Sequence, residues 1–426
     1  PLLEEPLRDT LGVIVYQDQV LDVAAALAGF SQGEAEGLRR AMSRRRSREA
    51  LASHWDAFRD GAAARGVPEE TANLLFEQIL AFSAFGFPKS HAAAFGLLAY
   101  QSAWLHKHHP AAFLCSLLNA QPLGFYPPAT LVRDAMRRGV EVRMIDVHHS
   151  AASSVLEPDG AVRLGLRHVR GLGEAAADAI AAERADGGPY RDLADLSRRT
   201  ALDLPRLELL IAAGACDALG RRRELRWQLG LLSHAVSVRG GRQLALDLEI
   251  GETPRLAPLG RWDLLVADYR ASGVSVRPHP LAELRPGLQA RGLVTTADLQ
   301  ELPDGTALAL AGLTVARQRP ASAKGIVFLL VEDEFGMVNL VLYAQVYEEH
   351  RLLARTEPLL EVHGRLERRD RNINVLVEAM HPVGRPGRPA LAPRRLPVPG
   401  RAPENEAIDA LRVAAPGAHH FAQGRH

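Results

Sequence analysis

Residues 325–343 read GIVFLLVEDEFGMVNLVLY, two apolar runs with turn residues between them. Runs of this length, rich in Val, Leu and Phe and bounded by turn residues, predict β-strands. The pattern repeats on both sides. TALALAGLTVARQR (306–319) precedes the pair, and PLLEVHGRLERR (358–369) and NINVLVEAMHPV (372–383) follow it, while YAQVYEEHRLLAR (343–355) reads as a helix. Five strands with a helix between the third and the fourth is the order of an OB-fold barrel, expected over residues 301–385. Phe328 alternates with Val327 and Leu329 and reads as core, with an outward stacking role as the alternative.

Toward the N-terminus the period changes. VLDVAAALAGF (20–30), TANLLFEQILAF (71–82) and HAAAFGLLAYQSAWLHKH (91–108) place apolar residues at i, i+3, i+4 and i+7, with Gly or Pro as punctuation. A second helical block spans about 165–235. The sequence from about 250 to 300 has little periodicity and reads as a connector, and beyond Val383 a Pro- and Arg-rich stretch, 386–426, reads as an extended, mobile tail. The chain is thus expected to be multidomain and mainly α-helical before its C-terminal β-barrel. The expected divisions are 1–150, 151–240, 241–300, 301–385 and 386–426.

With 426 residues, 47% of them hydrophobic and 24% charged, the composition is globular. No apolar run approaches the ~20 residues of a membrane span and no secretory signal opens the chain, so a cytoplasmic location without membrane contact is expected. Pro1 in place of a starting methionine suggests a piece of something longer. Cys115 and Cys216 stand far apart, and the His106-Lys107-His108-His109 run lacks a Cys, Asp or Glu cluster, so no metal site is expected. Net charge is +1, but Arg39, Arg40, Arg44, Arg45, Arg46 and Arg48 crowd together, as do Arg221, Arg222, Arg223 and Arg226. Lysine occurs only at Lys89, Lys107 and Lys324, a bias that weakens arguments from arginine alone.

Several segments could carry recognition chemistry. VRGLGEAAADAI (169–180) puts Gly171 and Gly173 around Leu172 at the mouth of an Ala-rich helix beginning near Glu174. Such glycines let the backbone turn sharply, leaving the first N–H groups of the helix, at the positive end of its dipole, open to a DNA phosphate. This is the helix-hairpin-helix pattern, with Leu172 and Ile180 as apolar pins and Arg167 and Arg170 as nearby cations; an ordinary Gly-capped turn is the alternative. LPRLELLIAAGACDALGRRRELR (204–226) reads as a second hairpin. Ser90 reads as the N-cap of the helix that follows Phe87-Pro88. Lys89 and His91 then stand beside a positive helix end, which an anion such as a triphosphate would explain; a solvated helix start is the alternative. Arg40 and Arg44 share a helix face that points to phosphate or to solvent. QLALDL, with Gln243, Leu246 and Leu248, has the form of a short peptide that docks in a groove.

LRDTLGVIVYQDQVLDVAAALAGFSQGEAEGLRRAM and FGFPKSHAAAFGLLAYQSAWLHKHHPAAFLCSLLNAQPLGFYPPATLVRDAMRRGVEVR resemble the fingers of bacterial C-family DNA polymerases, the polymerase III alpha subunits. QPLGFYPPATLVRDAMRRGVEVRMIDVHHS is most similar to the error-prone, damage-inducible branch. The resemblance continues through the hairpins and GVSVRPHPL (273–281) into the barrel. It implies template-directed addition of deoxynucleotides, with two Mg²⁺ ions held by aspartates of a palm domain. No strand-borne aspartate pair is present here, and Glu332-Asp333-Glu334 reads as a loop, so the chain is expected to bind DNA without catalysing by itself. By the same resemblance Arg39, Arg40, Arg44, Lys89, Ser90 and His91 fall in motifs that approach the incoming nucleotide and template. The error-prone branch often carries an acidic residue at the place of Lys89. Arg167, Arg170, Gly171 and Gly173 would grip duplex DNA, and the barrel, through Arg365 and Arg368 more than through aromatic stacking, the single-stranded template. QLALDL resembles clamp-binding peptides of polymerases, with recruitment by accessory damage-response proteins as the other route. A non-enzymatic DNA-binding adaptor is the alternative from another class, and a ligase-like assembly is disfavoured by the absence of a KxDG lysine.

Overall fold

The computed structural model describes residues 2–42, 52–82, 87–124, 126–236, 254–320, 323–369, 372–384, 410–415 and 419–420. The chain divides into two compact units, Pro1–His108 and His109–His426.

The first unit is helical: α1 (Glu4–Leu7), α2 (Gln17–Ala28), α3 (Gln32–Met42), α4 (Trp55–Ala64), α5 (Glu69–Phe82) and α6 (Lys89–His108). The stripe expected of α2 is its buried face. Val20, Val23, Ala24 and Leu27, spaced i, i+3, i+4 and i+7, join one core with Leu38, Phe58, Phe76 and Ile79. Trp55, Phe58 and Phe76 meet at ring distances of 5.2–6.5 Å and weld α4 to α5. Helix α6 buries none of its residues.

The second unit begins with α7 (Pro110–Asn119) and α8 (Pro128–Arg137), then a small sheet of β1 (Val142–Arg143), β2 (Val155–Leu156) and β3 (Val162–Arg163) in the order β1-β3-β2. Four helices follow: α9 (Glu174–Gly187), α10 (Leu193–Thr200), α11 (Leu204–Ala213) and α12 (Arg222–Val236). Leu114, Val132, Val147, Leu164, Leu172, Ile180, Leu210 and Leu225 share a single core, so residues on both sides of position 150 fold together.

Residues 241–300, expected as a connector, contain α13 (Arg261–Ser272) and α14 (Pro280–Ala290). Their apolar period is hidden because buried polar groups interrupt it. Asp268 is fully buried and accepts hydrogen bonds from Arg222 (2.8 Å), Ser275 (2.9 Å) and Arg277 (3.0 Å). Three charged groups and a hydroxyl thus satisfy one another where a sequence pattern looks for leucines.

The barrel closes as expected. Strands β4 (Ala307–Gln318), β5 (Val327–Glu332), β6 (Met337–Leu342), β7 (Leu359–Arg369) and β8 (Asn372–Pro382) pair antiparallel as β4–β5, β5–β6, β4–β7 and β7–β8. The β6–β8 pairing is parallel and completes the ring. The helix between the third and fourth strands is two short ones, α15 (Ala344–Glu349) and α16 (Arg351–Thr356), broken at His350. Val327, Leu329 and Val331 point inward with Val338, Leu340 and Leu342. Phe328 is instead half-buried on the outer face opposite Val341, so the core reading of this side chain is corrected by the strict two-residue period of the strand.

In the tail, Leu411 and Ala414 are buried against Leu313, Leu359 and Val383, and Arg412 pairs with Glu357 at 2.7 Å. Strand β9 (His419–His420) lies parallel to β4 at Ala316 and Arg317. An extended tail does not describe these residues. Composition registers the prolines and arginines upstream, but it is the short apolar spacing of 411–415 that meets the barrel.

Candidate nucleic-acid interface

The hairpin begins with a 3₁₀ turn, Leu166–His168, reverses through residues 169–173 and enters α9 at Glu174. Leu172 and Ile180 are both fully buried in the shared core and hold the turn against α9. Gly171 and Gly173 both adopt positive φ, 81° and 84°, a region that L side chains enter at a cost. Their surroundings differ. A Cβ on Gly171 would lie 3.2 Å from Leu209 Cδ1, whereas one on Gly173 meets nothing within 4 Å. Gly173 is the N-cap of α9 and brings no side chain to its first-turn N–H groups, at the helix end where the dipole favours an anion. The turn lines a concave pocket with Asn119, Gln121 and His168. His168 hydrogen-bonds Ser154 at 3.0 Å, and burial pushes its ring pKa down.

The two arginines of this hairpin differ in their engagement. Arg170 donates to the Arg270 carbonyl, and its backbone N–H to that of Ala271, so it fastens the turn to the C-terminal end of α13. Arg167 lies beside α9, 2.8 Å from Glu174 and 3.2 Å from Asp178. The second hairpin is α11 and α12. Its Arg222 is buried between Asp217 and Asp268, Arg223 donates to the Ala257 carbonyl, and Arg226 pairs with Glu208.

In the first unit, Lys89, Ser90 and His91 form the first turn of α6. Pro88 precedes that turn, and its carbonyl accepts the first helical hydrogen bond, from Ala92, so Ser90 lies inside the helix and the N-cap expectation is corrected. The anion expected at this helix end is supplied by the chain itself. Asp18 accepts the Lys89 backbone N–H at 2.9 Å, and Asp9 takes the Lys89 ammonium at 2.6 Å. That contact lowers the Asp9 pKa and raises that of Lys89. His91 packs its ring between Phe87 and Phe95, 4.9 and 4.4 Å away. On α3, Arg39 and Arg40 share Glu36, whose carboxyl is pulled down to about 2 by hydrogen bonds first from Arg39 and then from Arg40. The Arg39 pKa is raised chiefly by Glu36 and, more weakly, by Asp18. Arg44, Gln243, Leu246 and Leu248 lie outside the described residues.

On the barrel, Arg365 is exposed and pairs with Glu378 at 2.9 Å, while Tyr343 is also exposed. Arg368 folds back, donating to the carbonyls of Leu299, Gln300 and Leu302. Of Glu332-Asp333-Glu334, the first ends β5 and the others form the turn to β6. Asp333 accepts from Thr296, and Glu334 receives Arg285 through both oxygens at 2.6 and 2.7 Å. Among the described residues no group of three or more His, Cys, Asp or Glu is placed to hold a metal ion, and no helix is long and apolar enough to cross a membrane. Asp9, Asp18, Glu174 and Asp178 are the site residues that sequence patterns miss. The one available signal is that Glu174 directly follows the Gly-Leu-Gly turn.

Residues 1–66 match the bacterial DNA polymerase III alpha subunit finger domain, and residues 139–225 match a helix-hairpin-helix motif. The chain is 44% identical over 408 residues to an error-prone DNA polymerase of Anaeromyxobacter sp. strain K, covering 92% of this chain and 35% of the relative. It is 44% identical over 384 residues to that of Azoarcus sp. strain BH72, covering 88% and 36%. It therefore spans about a third of the length of these relatives. Among solved structures, an asparaginyl-tRNA synthetase from Pyrococcus horikoshii is 25% identical over 21% of this chain and 22% of its own, with a TM-score of 0.19.

Proposed function

Since the chain belongs to the bacterial C-family DNA polymerases, as its finger and hairpin matches and its error-prone relatives show, we propose that it supplies the fingers and the DNA-gripping modules of a polymerase that copies damaged template. The observation that carries this reading is the turn at 171–173, with a helix start that no N-cap side chain covers, open space over Gly173 and a pocket lined by the turn. A backbone grip of this kind binds phosphate without reading sequence. By exchanging their carboxylate partners Asp9 and Glu36 for phosphate, Lys89 and Arg39 orient the triphosphate of the incoming deoxynucleotide, and the outer face of the barrel around Phe328 and Arg365 receives single-stranded template. The Mg²⁺ ions that nucleotidyl transfer requires do not fit the described residues, whose one acidic run is spent on Thr296 and Arg285. This chain's part is therefore to bind and orient. Cytoplasmic recruitment through QLALDL to a sliding clamp, or through an accessory protein, belongs to the same reading. The test is a salt series of binding to primer-template duplexes of several sequences. Affinity is expected to be alike across sequences and to fall linearly on logarithmic axes, by about 0.9 in slope per phosphate contacted. Absence of binding at about 50 mM salt, where such contacts are strong, overturns the reading.

A further inference from the structure

The hairpin carries its own competitor for phosphate. The Arg167 guanidinium reaches Glu174 with one nitrogen, at 2.8 Å, and Asp178 with the other, at 3.2 Å. These carboxylates stand at the first and fifth residues of α9, one turn apart on the same face. Glu174 is also where the positive end of the α9 dipole favours a negative charge. A phosphate arriving over Gly173 seeks the same dipole and the same guanidinium, so it meets a site whose cation is already engaged. Arg170 does not offer a substitute, because it is tied to the last turn of α13 and its Nη2 lies so near Gly273 that a Cβ there would be 2.6 Å away.

We propose that Glu174, assisted by Asp178, is a positioning residue that sets the strength of this hairpin's grip on duplex DNA: the carboxylates hold Arg167, and the duplex is bound only by exchanging them for phosphate. All three side chains are well exposed, at 41% for Arg167, 70% for Glu174 and 54% for Asp178, and exposed pairs hold weakly. The exchange is therefore reversible. It suits a contact that must be released and remade each time the duplex advances by a step. This inference rests on the reading that the hairpin grips the duplex.

The experiment measures duplex affinity of the full chain for the wild type, Glu174→Gln, Arg167→Gln and the double variant, with Gly173→Val as reference. Glu174→Gln is expected to tighten binding about two- to five-fold, the scale of an exposed ion pair. Most of that gain is expected to vanish when Arg167 is already Gln, because no guanidinium remains to be freed. No gain with Arg167 present, or an equal gain in both backgrounds as a mere change of net charge would give, overturns the latch and leaves the hairpin reading standing. If Gly173→Val and Arg167→Gln both leave wild-type affinity unchanged, the duplex is held elsewhere and the hairpin reading fails, taking the latch with it.

Discussion

Gly171 and Gly173 both hold a positive φ and differ in what surrounds them, and that difference separates packing from recognition. At Gly173 a Cβ meets nothing within 4 Å, so the cost of a valine to the fold is the strain of φ 84° with ψ 153°, a region essentially reserved for glycine, about 1–3 kcal/mol. Its branch occupies the space a phosphate would need. Gly173→Val is expected to weaken duplex binding and to make its salt dependence shallower by about one contact, a slope change of ~0.9, while the melting temperature falls by no more than that backbone strain accounts for. Gly171→Val adds close contact with Leu209 to the strain of φ 81° and is expected to lower the melting temperature. Unchanged affinity and slope for the Gly173 variant would make the turn an ordinary helix connection. Asp268 supplies a contrasting residue, since it is fully buried while it pairs with the buried Arg222 and the partly exposed Arg277. Asp268→Ala removes the acceptor shared by Arg222 and Arg277 and leaves the buried Arg222 with Asp217 as its one carboxylate, and a loss of about 1–3 kcal/mol is expected in denaturant unfolding. A loss well under 1 kcal/mol would mean that water takes over the role of the carboxylate.

Among the elements, the barrel strands show how far side-chain type alone misleads. Arg365 and Arg368 lie three residues apart on β7, yet one pairs with Glu378 in solvent and the other clasps the backbone of residues 299–302. Arg368→Ala removes the donor shared by three part-buried to exposed carbonyls, a net loss of about 0.5–1.5 kcal/mol per hydrogen bond at most, since water reaches them. Its expected effect is a lower melting temperature, with single-strand affinity falling only as the barrel loosens. Arg365→Ala costs little stability because its pair is exposed, at 58% and 57%. It is expected to weaken binding of fluorescent single-stranded DNA, most clearly at low salt, and Phe328→Ala to weaken it independently of salt. If neither substitution alters single-strand affinity while both variants melt normally, the barrel serves a partner or the fold rather than the template.

Across the whole molecule, local periodicity was legible and tertiary charge placement was not. The strands of the barrel, the stripe of α2 and the entry into α9 at Glu174 are all carried by spacing within a few residues, which is where propensity and burial act. The helices at 261–290 were hidden because Asp268, Ser272 and Ser275 sit in their core, and the docking of residues 411–415 because composition there is dominated by distant prolines. The partners of Lys89 and Arg167 follow from chain reversals that bring Asp9 across 80 positions and Asp178 across 11, and no window around a lysine or arginine contains that information. The same consideration bears on catalysis. Two-metal phosphoryl transfer needs carboxylates that converge on an open site, and among the described residues no such group is formed, Glu334, Asp333, Glu174 and Asp18 being engaged by arginine, threonine and a helix start. The purified chain is therefore expected to bind primed DNA yet add no nucleotide to the primer in the presence of Mg²⁺ and all four deoxynucleoside triphosphates. Extension by protein free of contaminating polymerase, abolished by chelation and restored by Mg²⁺, would show that a metal-holding carboxylate set lies in this chain and that the binding role proposed for it is only part of its activity.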